Sequence, residues 1–425
     1  MPVRAPSLYL TLRGFCLGAF GVFSRELEQG VELPFAFEEH GSLGRPALYE
    51  YRPLVRDFVE ARGQRLATRD DARLAFDELR REPAAAIFAR VHAGTTADQD
   101  RSLLESVLMP LLVRTAEACG GFDWDDPTFD RAYREFETSL FSDGHAYAAL
   151  APLVGLSAGG EIDLGGGLRV RVAATGELAA HWPEASGLLP PGFGREPDRL
   201  CVLELERDLT AAAAESPDSA GELADAISAI RLTTAGAVAV GPVLFERLDW
   251  RPYGIRPAVP IAATLPNGEP TRLDPFRGRL AADVLTRLGI ADGDPDLSES
   301  LDRWELSLFQ SEPFRSEQLR EALVAVLGAG DGLWAASVRA ALLLGERGSD
   351  RADLLVSLRA LAAGEAAVEA AADAVRRALL EVLLHGDRSA LIGSLDEALL
   401  GVGPRPAGYF ARLAAGDGSR ATAAA

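Results

Sequence analysis

The chain has 425 residues, 48% hydrophobic and 25% charged, a globular composition long enough for two or three domains. Its formal net charge of −20 argues against a broad nucleic-acid-binding face. All 43 basic residues are arginine, so Schiff-base chemistry and the P-loop ammonium are excluded.

A single asparagine, Asn267, leaves little room for a catalytic amide. Cys16, Cys119 and Cys201 lie too far apart for a C-x-x-C pair, and read as free thiols of a reducing cytosol.

In chain order, "SLYLTLRGFCLGAFGVFS" (7–24) is interrupted by Arg13 and has no small-residue cleavage site, so it is not expected to be a secretion signal. The alternation in "LYLTLR" predicts an opening strand. No segment reaches the roughly 18 uninterrupted apolar residues of a membrane span. "VELPFAFEEH" predicts a strand, with Pro34 marking an edge. A helix is expected from about Arg69 to Arg81, capped by Thr68 and stopped by Pro83.

Helical spacing continues from Gln99 to Leu156, with a kink or break at Pro110. Asp126 is expected to cap a helix that has Pro127 in its first turn. From Ser157 the texture becomes β-rich. "GGEIDLGGGLRVRVAATGEL" predicts a hairpin around a glycine turn, "RLCVLELER" a further strand, and "LPNGEP" a tight turn. After Leu280 seven amphipathic helices are expected, near 281–289, 298–310, 316–328, 332–346, 350–363, 366–385 and 388–400. Their short connections predict an antiparallel bundle.

The five histidines, His40, His92, His145, His181 and His385, share no helix at metal-ligand spacing, so no metal is expected. Asp123, Asp125, Asp126 and Asp130 lack the glycine and distal glutamate of an EF-hand, and read as capping and solvated groups. "LGGGLR" lacks both phosphate-loop signatures. "SDGHAY" places Ser142, Asp143 and His145 together, but a nucleophilic triad is defined by geometry in the fold, not by sequence neighbours.

"LDRWELSLFQSEPFRSEQLREALVAVL", "LWAASVRAALLLGE" and "RADLLVSLRAL", preceded by "AIRLTTAGAVAVGPVLFERLDW", resemble the Apea-like branch of the HEPN superfamily over about residues 220–400. The resemblance implies a helical bundle and, in active members, metal-independent RNA cleavage by an arginine and a histidine four to six residues apart, usually meeting across a dimer. There the guanidinium stabilises phosphate charge while the imidazole moves protons. This chain departs from that motif. The stretch after "LVSLRAL" is "AAGEAAVEAAADAV", with neither residue.

The nearby candidates are Arg376, Arg377 and His385. Arg377 precedes His385 by eight residues, about 80° past two full turns and a rise of about 12 Å, too far to share one phosphate within a helix. "ALLEVLLHGDR" (378–388) therefore reads as a helix end, with Gly386 as the stop and Asp387 starting the next helix. A cross-dimer site using Arg339 or Arg359 with His385 is the functional alternative.

These readings predict an α+β chain: a mixed N-terminal region (1–156), a β-rich region with antiparallel strands (157–278), a HEPN-like antiparallel bundle (279–402) and a mobile tail (403–425). The expected function is non-catalytic binding of a protein partner, of RNA or of a second copy as a homodimer, in a setting of phage defence or stress response that the resemblance implies. The alternative is a metal-independent endoribonuclease with a rearranged Arg/His site, for which His385, Arg377, Arg339 and Arg359 are the catalytic candidates. A cytoplasmic location is expected, with no cofactor, no DNA and no membrane partner.

Overall fold

The computed structural model describes residues 3–40, 48–93, 98–174, 177, 201–210, 217–240, 243–251, 254–257, 270–364 and 369–408. The "LPNGEP" turn, apart from Pro270, and the tail beyond 408 fall outside the described residues, as do the side chains of His40, His92 and His181.

The chain opens with a helix, α1 (Pro6–Glu28), where a strand was expected. The alternation in "LYLTLR" spans six residues, whereas Leu8, Leu12, Phe15, Cys16, Ala19, Phe20 and Phe23 recur at helical spacing and are all buried. The longer period prevails, and Pro6 in the first turn suits a helix start. By length and composition α1 is apolar enough to cross a membrane, while one of its faces packs into the core.

Strands β1 (Phe35–His40) and β2 (Leu48–Pro53) form an antiparallel pair. Helices α2 (Val55–Glu60), α3 (Gly63–Ala67), α4 (Asp70–Arg81) and α5 (Pro83–Ala93) follow. Thr68 does not cap α4. Its hydroxyl donates to Arg65 O, and Arg69 occupies the cap position.

Helix α6 (Gln99–Leu103) runs through a π-helical turn, Leu104–Leu108, into α7 (Met109–Cys119). Pro110 has no N–H for the carbonyl of Ser106, which explains a break in the α ladder at this point. Helix α8 (Asp126–Leu140) is capped by Asp125, one residue earlier than expected, whose carboxylate accepts from Thr128 N at 3.0 Å. Asp126 instead accepts from Arg13 and from the Trp124 indole.

The main sheet has seven strands: β3 (Gly144–Val154), β5 (Ile162–Gly165), β6 (Leu168–Val172), β7 (Cys201–Thr210), β8 (Ala239–Val240), β9 (Val243–Leu248) and β10 (Gly254–Pro257). The order is β10-β9-β3-β7-β6-β5, every pair antiparallel, with β8 on the end of β3. Two short strands, β4 (Leu156–Ala158) and β11 (Thr271–Leu273), pair in parallel.

The expected hairpin is β5–β6. Gly165, Gly166 and Gly167 all have positive φ, and a Cβ on Gly167 would lie 2.0 Å from Glu206 O. Only glycine fits there.

The central strand β3 lies inside the stretch expected to be helical. Residues 145 and 147–153 are buried on both faces, so no alternation marks them in the sequence.

Helix α9 (Ser219–Thr234) packs on α10 (Pro275–Asp292), the first of seven C-terminal helices. The others are α11 (Pro295–Phe309), α12 (Phe314–Leu327), α13 (Gly332–Leu344), α14 (Gly348–Ala362), α15 (Glu369–His385) and α16 (Arg388–Leu399). All seven lie where apolar periodicity between Gly, Pro and Asp signals placed them. The protein is α+β, with antiparallel strands ahead of a helical C-terminal region.

The buried apolar residues form two clusters. One joins α1 through α8, with Trp250 added from the turn after β9. The other runs from Tyr147 to Leu395, so the sheet and the C-terminal helices share a continuous core across residue 278.

Candidate functional site

In the C-terminal helices each candidate residue is engaged in packing. Arg339, on α13, is 5% exposed and surrounded by acceptors. Its Nε and Nη2 donate to the two carboxylate oxygens of Asp396 at 2.7 and 2.9 Å. Nη2 also reaches Asp331 at 2.6 Å, and Nη1 donates to the carbonyls of Leu327 and Gly328 at 3.0 and 2.9 Å. A guanidinium has five N–H groups, and all five are used. The hydrogen bond to Asp396, followed by that to Asp331, holds the pKa above the ordinary arginine value. The side chain joins α13 to α16 and closes the carbonyl end of α12.

Arg359 lies 4.7 Å above the Trp334 ring, a cation–π contact. Arg377 donates to Leu344 O at 3.4 Å, near the end of α13. Arg376 donates to Leu232 O at 2.7 Å and pairs with Asp373, tying α15 to α9. His385 is the last residue of α15, its Nδ1 3.2 Å from Asp387 O. Gly386 follows at φ +89°, and Asp387 caps α16 through Ala390 N at 2.8 Å. Each of these arginines bonds groups other than the His385 ring.

A different cluster lies where β3 begins and β9 ends. Its starting point is the turn after β9, where Asp249 adopts a left-handed φ of 54°. Asp tolerates this conformation better than most non-glycine residues. Asp249 N donates to Ala146 O at 2.7 Å and Ala146 N returns a bond to Asp249 Oδ1 at 2.8 Å. These two bonds carry the β3–β9 pairing one step past Tyr147 and Leu248.

They also hold the carboxylate beneath α8. Its Oδ2 accepts from Ser139 Oγ at 2.8 Å and lies 2.7 Å from His145 Nδ1. Because an ionised carboxylate only accepts, the pair assigns the Nδ1 proton to His145. Both side chains are buried, His145 3% and Asp249 8% exposed, and the Phe88 ring stands edge-on to the imidazole at 6.1 Å.

This pair lines a cleft of about 740 Å³. Arg131 and Arg134 of α8 lie along one side and Asp208 of β7 on another, with Ser142 and Trp250 completing the wall. Arg131 donates to Thr128 Oγ1 at 3.4 Å. Among the described residues, neither arginine has a carboxylate within ion-pair reach. Glu135, also in the lining, pairs with Arg114 at 3.0 Å.

In "SDGHAY" His145 stood out only as a sequence neighbour of Ser142 and Asp143, and its partner was not legible. Asp143 adjoins it in sequence, whereas the carboxylate it bonds arrives from 104 residues away. The arrangement also differs from a serine triad. A nucleophile would donate to the imidazole, yet Ser139 donates to the carboxylate, and Ser142 Oγ accepts from Gly144 N at 3.3 Å.

Among the described residues, no three His, Cys, Asp or Glu side chains gather as a metal site. No protein-family model matches the chain, and neither the curated proteins nor the solved structures give a match.

Proposed function

We propose that this chain acts by binding, with its C-terminal helices serving as a HEPN-like scaffold that lacks Arg/His cleavage chemistry. The observation that carries the reading is the saturation of Arg339. Of the four candidates it is the most buried arginine, and its five donors are fixed on Asp331, Asp396 and two carbonyls.

A guanidinium that is to stabilise developing phosphate charge must keep donors directed at the reacting group. The acidic surface favours a protein partner or a second copy over bulk RNA. A cytoplasmic setting in phage defence or RNA-directed stress response, taken from the resemblance, belongs to the same proposal.

The test is incubation of the pure protein with mixed tRNA and total RNA, with and without EDTA. Intact RNA, together with a stable complex in pull-down, is the expected result. EDTA-resistant cleavage that disappears in His385→Ala overturns the proposal.

A second reading, acid–base chemistry in the other cleft, is favoured by the 2.7 Å contact between His145 and Asp249 beside two arginines. The same assay distinguishes it, because cleavage would then be lost in His145→Gln and kept in His385→Ala.

A further inference from the structure

The cleft beside α8 holds cationic groups that have no counter-charge among the described residues. Arg131 and Arg134 are three residues apart, so their side chains share a helix face, where like charges repel. Acidic residues outnumber basic ones by 63 to 43 in the whole chain, and arginines elsewhere commonly pair with them. Here the nearby carboxylates are otherwise engaged. Glu135 is held by Arg114, and Asp249 receives Ser139, His145 and the Ala146 amide.

Trp250, 8% exposed, brings a buried aromatic ring to the wall. Asp208 faces the same cleft as an exposed carboxylate with no ion pair among the described residues. The volume of about 740 Å³ lies within the range of small-molecule sites.

We infer that this cleft binds a small molecule carrying an oxyanion, a phosphoryl or carboxylate group, held between Arg131 and Arg134. Asp208 would receive a donor at the ligand's other end. The fixed His145–Asp249 pair forms the floor. The site does not depend on the binding role of the C-terminal helices, and stands or falls separately from it.

Titration calorimetry of the full chain with inorganic phosphate, pyrophosphate and citrate, at matched ionic strength, tests the inference. Saturable binding of at least one probe is expected. Preference for pyrophosphate over citrate assigns a phosphoryl group, and the reverse assigns a carboxylate. Arg131→Ala/Arg134→Ala should weaken binding at least tenfold. Both side chains are exposed, so the fold should persist, which circular dichroism checks. Arg279→Ala, an exposed arginine of α10, is the control and should leave affinity unchanged. No saturable binding of any of the three probes overturns the inference, as does equal affinity in the double variant.

Discussion

Arg339 shows what a buried cation does when its surroundings supply every acceptor. Removing it would leave two carbonyls at the end of α12 without their donor and two carboxylates without their counter-charge. Breaking such a pair by deleting one partner costs about 3–5 kcal/mol, and the partial exposure of Asp331 and Asp396 places this case near the lower end. Arg339→Ala should therefore lower stability by about 3 kcal/mol in urea unfolding. His385→Ala, at a half-exposed helix end, should change it by less than about 0.5 kcal/mol. Similar losses from both would contradict the structural role assigned to each. The helix-end role of His385 was readable from Gly386 and Asp387, because stop and cap are local features. The burial of Arg339 was not, since its acceptors come from positions 327, 328, 331 and 396. For the same reason the His145–Asp249 pair could not be anticipated from the sequence.

At the scale of elements, the C-terminal helices depend on caps that also act as anchors. Asp294 accepts from Asp296 N and Leu297 N at the start of α11, and from Arg388 Nε at 2.6 Å at the start of α16. The Arg388 hydrogen bond, aided by these amides, holds its pKa below the ordinary aspartate value. A group whose pKa is depressed by folding stabilises the native state when ionised. That contribution is complete above the unfolded pKa, near 3.9, and is lost as pH falls through the lower folded value. Asp294→Asn should thus be less stable than wild type at pH 7, and the gap should narrow as pH falls below about 4. A gap that stays constant down to pH 2 would show that the carboxylate charge contributes nothing. These seven helices were legible because Pro, Gly and Asp punctuate a strong apolar period. The first helix and the strand β3 were not. In α1 a brief alternation masked the longer period, and in β3 burial on both faces removed the alternation itself.

At the scale of the molecule, a four-residue turn links the two cores, beside the contact between Phe88 and His145. Leu248 belongs to the cluster beneath the sheet and Trp250 to the cluster of the first eight helices. Asp249 between them fixes Ser139 and His145, and Arg251 lines a second cleft beside α2, α3 and the π-helical turn. The Trp250 ring meets Phe136 at 5.4 Å in a tilted-edge arrangement. Trp250→Ala should cost about 3–5 kcal/mol, the range for deleting a buried aromatic side chain. Because Trp250 is the described residue through which the distal chain enters the first core, the loss should fall on the coupling between cores. Calorimetry should then resolve two transitions in the variant, against a single one expected for the wild type. Trp250→Phe retains a ring against Phe136 and gives up an N–H that has no acceptor among the described residues, so it should keep the single transition with a loss of about 1 kcal/mol. If both variants unfold in one step, cohesion between the cores rests on other contacts, and the turn serves mainly to place Asp249 under the cleft.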